Sequence, residues 1–216
     1  MNFLKTLSFL TIIKFNIKGE YSPGKMIPYF ALTGLFIGFG LWGVSYISDG
    51  FFLRPVFMLL FLAAITGALH IDGFIDTADA LFSHRSRERK LEIMKDPHAG
   101  SMGITAVILL FLVKWSAFME MPSVWLIAFV PAYARFAAVV AMLSLPYLRS
   151  EGLGKLFKEG TGRASLLQIL PFMAVMAYFC SFPFFVLFNM VFIITVFCII
   201  SFYRFTLGGI TGDLTG

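Results

Sequence analysis

Charge is what this sequence has least of. Asp, Glu, Lys and Arg make up 13% of its 216 residues, against about 25% in an ordinary soluble domain. A water-soluble fold of this length would lack the polar surface to cover itself. Cysteine is nearly absent: Cys180 and Cys198 lie in different apolar segments without metal-ligand spacing. They read as two buried thiols acting as small hydrophobes. No long polar linker, low-complexity run or clear repeat divides the chain, so 1–216 reads as a single domain. The N-terminal MNFLKTLSFLTIIKF has a short apolar run and no small-residue cleavage site before the next hydrophobic block. It is therefore expected to persist as a helix at the membrane interface or packed against the bundle.

Apolar residues fill the space that charge leaves. They reach 59%, with 27 Phe, and the mean hydropathy is +0.86. The fold class that follows is all-α: a polytopic bundle of about six transmembrane helices. A bilayer core is about 30 Å thick and needs roughly 20 apolar residues to cross it. The predicted spans are 29–47, 56–71, 103–119, 124–145, 166–180 and 184–205. Gly34, Gly38 and Gly40 on the first include a small-x-x-x-small pair suited to close helix packing.

Orientation follows from the basic residues. Six alternating crossings put fourteen Lys and Arg on one side, in the segment before the first span, the loops after the second and fourth, and at Arg204. The opposite loops carry only Arg54. That face, with both chain ends, is expected to be cytoplasmic in a cell-membrane protein.

HIDGFIDTADALFSH, residues 70–84, then stands out. Asp72, Asp76 and Asp79 follow directly on an apolar stretch. At about 100° per residue they share a narrow arc of one helix face. Clustered carboxylates repel one another and would tend to protonate. A hard divalent cation removes that cost, and Mg²⁺ commonly uses one or two carboxylates plus substrate phosphate oxygens. Asp72, Asp76 and Asp79 are thus the expected metal ligands of a metal-diphosphate site facing the cytoplasm. Arg85, Arg87, Arg89 and Lys90 follow at once, as a multiply phosphorylated ligand requires. Asp96 adds an acid beside a Gly-bearing loop, where Gly100 is positioned to offer a backbone N–H to a phosphate. Lys114 and Arg135 lie deep in apolar segments, where a charge is functional by default. Lys114 can equally snorkel or pair structurally; Arg135 is expected to partner an acid or a phosphate. His70 reads as a ligand, a base or a hydrogen-bonded helix-end residue.

At these residues the sequence resembles the cobalamin synthase family, the adenosylcobinamide-GDP ribazoletransferases. The resemblance covers nearly the whole chain: FLT at 9–11, HIDGFIDTADALFS at 70–83, RERKLEIMKDPHAGSMG at 87–103, Arg135, LPYLRSEGLGKLF at 145–157 and LGGITGD at 207–213. It implies transfer of the phosphocobinamide moiety of adenosylcobinamide-GDP to α-ribazole or its 5′-phosphate. The products are adenosylcobalamin, or its phosphate, and GMP. Mg²⁺ is the implied cofactor, membrane lipid the surroundings, no nucleic acid a partner, and a homo-oligomer compatible with it. Among the implied roles, Asp79 or Asp96 takes the hydroxyl proton, and Arg85, Arg89 or Arg135 stabilises charge on the transferring group. His70, Lys95, Gly100 and Asp213 join Arg85 and Arg89 in substrate binding. Members usually continue past the GGxTGD tail through a final hydrophobic helix, whereas this chain ends at LGGITGDLTG. Asp213 is accordingly expected on a frayed end. A cation transporter would instead spread its charges through the bilayer midplane, and a structural subunit would use the aspartates for assembly.

Overall fold

The computed structural model describes residues 1–18, 22–121 and 125–213. They form α1 (Asn2–Leu10), α2 (Phe30–Ile47), α3 (Arg54–Ile65), α4 (Leu69–Phe82), α5 (Arg87–Ile93), α6 (Ser101–Met119), α7 (Val130–Ser144), α8 (Leu153–Gly160), α9 (Leu170–Phe179) and α10 (Phe182–Thr206). Among the described residues, four helical runs are long and apolar enough to cross a membrane: Pro23–Ile47, Ser101–Met119, Trp125–Ser144 and Phe182–Thr206. Two bent pairs raise the number to six if each counts as one span. The chain is a helical membrane protein, as its composition requires. The predicted span 124–145 begins one position outside the described residues.

The two short spans differ from expectation. The predicted helix 56–71 breaks at Thr66–Ala68, and α3 and α4 meet at 92°. Gly67 and Ala68 both take positive φ, 59° and 57°. A left-handed pair ends one helix and redirects the next, and at Ala68 it is costly for a residue with a Cβ. The fifth, 166–180, lies within the helical run 163–179 and opens as a 3₁₀ helix up to Ile169; the bend of 89° precedes it, between α8 and that run. The acidic helix α4 is therefore a separate element with its own direction, packed along α6.

The tightest packing joins α2 to α7 and to the helical turn Trp125–Ala128 that leads into it. A Cβ on Gly34 would lie 2.6 Å from the Ala132 Cα, and one on Gly38 2.8 Å from the Ala128 Cα. Only hydrogen fits there, so the backbones approach as the glycine pair predicts. Gly40 faces the Phe61 ring of α3 instead. α1 is tied to the bundle rather than to lipid alone: Leu7 and Leu10 are buried. The Thr6 hydroxyl also donates to the Met26 carbonyl at 3.2 Å. Cys180 is only half-buried and Cys198 exposed, contrary to two buried thiols. Cys198 lies on α10, whose apolar surface is left almost entirely uncovered by the described residues.

Gly38→Val should destabilise the protein by about 1–3 kcal/mol or more through overpacking. Thermal unfolding in detergent checks this, and an unchanged midpoint would rule out the α2–α7 contact.

Candidate active site

Asp79 organises the site, though not in the role its spacing suggested. Its two carboxylate oxygens accept the N–H groups of Gly100 and Gly103, each at 2.7 Å. These are the orphan donors at the start of α6, so Asp79 caps that helix from another element. The glycines are what allow it: a Cβ on Gly100 would lie 2.7 Å from the Asp79 Cγ, and one on Gly103 2.7 Å from the Ile75 carbonyl oxygen. The Gly100 N–H expected to meet a phosphate is thus donated to Asp79. Among the described residues no three His, Cys, Asp or Glu side chains are placed to hold a metal ion. The expected Asp72–Asp76–Asp79 triad is not preassembled, because Asp79 turns to α6.

Asp72 is exposed and Asp76 half-buried. Neither accepts a hydrogen bond among the described residues, so both keep their acceptor capacity. The structure adds Asp213 beside them. A Cβ on Gly73 would lie 2.7 Å from the Asp213 carbonyl oxygen and 3.1 Å from its Cα. The tail backbone therefore rests on α4 between Asp72 and Asp76. Asp213 is not frayed: it forms an ion pair with Arg149 and accepts from the Thr211 hydroxyl at 3.3 Å. Asp76 stands within electrostatic reach of Asp72, Asp79, Asp213 and Arg149. Two free carboxylates on one surface, Asp72 and Asp76, still suit Mg²⁺ bound chiefly through substrate phosphate.

Gly208, with φ 77°, turns the chain off α10, and its N–H donates to the Tyr203 carbonyl at 3.0 Å. The tail then pairs with the segment after α7 in a parallel bridge between Tyr147 and Ile210. The Leu148 N–H donates to the Ile210 carbonyl at 2.8 Å, and the Ile210 N–H to the Pro146 carbonyl at 2.9 Å. Arg149 and Asp213 meet through this bridge. Arg149 had counted in the sequence only as a topology charge, and Gly73 not at all. A clue lay in their membership of the matched stretches, which gave no pairing.

The other candidates are dispersed. Arg85 and Arg89 line one groove of about 630 Å³ with Ser86 and Ile93. Arg89 also pairs with Glu92 at 2.6 Å on the exposed surface. Lys95 and Asp96 are exposed. Hydrogen bonds from the His98 ring and N–H hold the Asp96 carboxyl below the usual carboxylate range. That makes it a poor proton acceptor. His70 and Lys114 line a largely apolar cavity of about 960 Å³ between α4, α6, α7 and α10, which Asp213 also borders. Arg135 is half-buried on α7 within electrostatic reach of Lys114. Its Nε has no hydrogen-bond partner, and no acidic residue among those described pairs with it.

Asp79→Ala should cost about 0.5–2 kcal/mol, the usual effect of a lost helix cap. It should also speed amide exchange at Gly100 and Gly103. Unchanged exchange at both glycines would show that Asp79 does not cap α6.

A model of the family described as cobalamin-5-phosphate synthase matches residues 2–216. A protein of Fusobacterium nucleatum is 32% identical, covering 99% of this chain and 91% of its own length. One of Desulforamulus reducens is 35% identical, covering 97% and 88%, and one of Acetivibrio thermocellus 34% identical, covering 100% and 93%. Each of the three is named adenosylcobinamide-GDP ribazoletransferase. No solved structure matches the chain. With the family pattern running through α4, the α6 cap and the folded tail alike, the chain belongs to the cobalamin-5-phosphate synthase family.

Proposed function

We propose that the surface formed by α4, the folded tail and Arg149 is where this chain carries out the closing transfer of cobalamin assembly. A hydroxyl of α-ribazole, or of its 5′-phosphate, attacks the phosphorus that bears cobinamide in adenosylcobinamide-GDP. The new O–P bond forms as the bond to GMP breaks, and GMP departs with the electron pair. The observation that carries this reading is the pair Asp72 and Asp76, without hydrogen bonds among the described residues, with Asp213 laid between them on Gly73.

The residues divide the work by geometry. Asp79 is committed to α6 and Asp96 to His98, so Asp76 is the carboxylate suited to take the hydroxyl proton. Arg149 supplies positive charge beside it. The Arg85–Arg89 groove offers donors for further phosphate oxygens. Mg²⁺ would be held by Asp72 and Asp76, with substrate phosphate completing its shell, and would neutralise charge building on the departing GMP. The Lys and Arg bias of the loops supports a cytoplasmic position for the basic loops, both chain ends and this surface.

Purified protein in lipid, given adenosylcobinamide-GDP, α-ribazole and Mg²⁺, should release GMP and cobamide, followed by mass spectrometry. EDTA should abolish release and added Mg²⁺ restore it. Asp76→Asn should lower turnover by about 10²-fold or more without altering the unfolding midpoint. An Asp76→Asn variant that turns over normally would move the chemistry off this face.

A further inference from the structure

We infer that Arg149 is a positioning residue that holds the tail carboxylate Asp213 on the acidic face of α4, closing the reactive surface as one unit. The inference rests on the reading above for what the surface does, and on the coordinates alone for how it is held.

Four observations converge on this side chain. Its Nη2 donates to Asp213 and also to the Met94 carbonyl, at 3.1 Å. Met94 is buried and sits just before the loop that leads to Gly100 and Gly103, so one guanidinium ties the tail to the strap entering α6. Second, Arg149 is the one cation among the charges that act on Asp76, beside the carboxylates of Asp72, Asp79 and Asp213. Third, its Nε is buried and has no hydrogen-bond partner among the described residues, so the bonds that hold the guanidinium are those of Nη2 to Asp213 and Met94. Fourth, the Tyr147–Ile210 bridge and the Asp213–Gly73 backbone contact bring the tail within reach but leave its carboxylate beside like charges. Like charges this close disfavour one another unless a counter-charge is fixed among them.

The consequence is specific. Without Arg149, repulsion from Asp72 and Asp76 drives Asp213 away, and the last turn of chain leaves α4 while the α2–α7 core is untouched. Lysine at 149 keeps the charge, but a compact ammonium lacks the planar fork that spans an acid and a carbonyl together. It should restore part of the effect. Arg149 thus acts through Asp213, and removing both should cost no more than removing one.

The experiment pairs two readouts on Arg149→Met, Arg149→Lys, Asp213→Asn and the double variant Arg149→Met/Asp213→Asn, each as the full chain in lipid. Amide exchange read by mass spectrometry should show residues 207–213 exchanging roughly tenfold faster in Arg149→Met, with α2 and α7 unchanged. Turnover should fall about 10–100-fold in Arg149→Met, as when a partner that orients a reactive carboxylate is lost. Arg149→Lys should recover part of it. The double variant should match Asp213→Asn alone. Unchanged tail exchange in Arg149→Met would overturn the inference, as would losses in the double variant that multiply. Absence of turnover in the unaltered protein would strike the proposed function, while the exchange data would still decide whether Arg149 holds the tail.

Discussion

The two hydrogen bonds from the α6 N-terminus to Asp79 fix the rest of the reactive surface. The carboxylate lies on a helix that the left-handed pair at 67–68 has turned away from its predecessor. By reaching into the first turn of α6 it locks α4 against a membrane-spanning neighbour. It satisfies N–H groups that would be expensive to leave bare in so apolar a chain. With α4 held, the faces of Asp72 and Asp76 have a defined direction, and Gly73 between them offers bare backbone for the tail.

Close backbone approach is the second constraint, and glycine supplies it at each junction. Gly34 and Gly38 admit α7, Gly100 and Gly103 admit Asp79, and Gly73 admits Asp213. In lipid, where burying a side chain against a neighbouring helix gains little over burying it in acyl chains, close van der Waals contact and satisfied polar groups hold helices together. The same device that packs α2 on α7 therefore also assembles the acidic surface of α4 and the tail.

Charge is scarce. Four of the twelve acids stand together on α4 and the tail, with Arg149 among them. Lys114 and Arg135 stand apart from that cluster, half-buried on separate helices without an acidic partner among the described residues. Lys114 lines the largely apolar cavity.

Periodicity and composition alone determined that this chain is a helical membrane protein with an acidic helix face, because hydropathy and 3.6-residue spacing are local properties. The glycine pair on α2 was legible for the same reason. Which carboxylate did what was not legible. Asp72, Asp76 and Asp79 are equivalent in spacing, and only the position of α6 commits Asp79 to a cap. The break in the second span was hidden too, since an Ala in left-handed geometry leaves no compositional sign. Arg149 and Asp213, 64 residues apart, became partners only when Gly208 turned the chain and the Tyr147–Ile210 bridge formed. Contacts between distant segments depend on how helices pack, and no one-dimensional pattern encodes that.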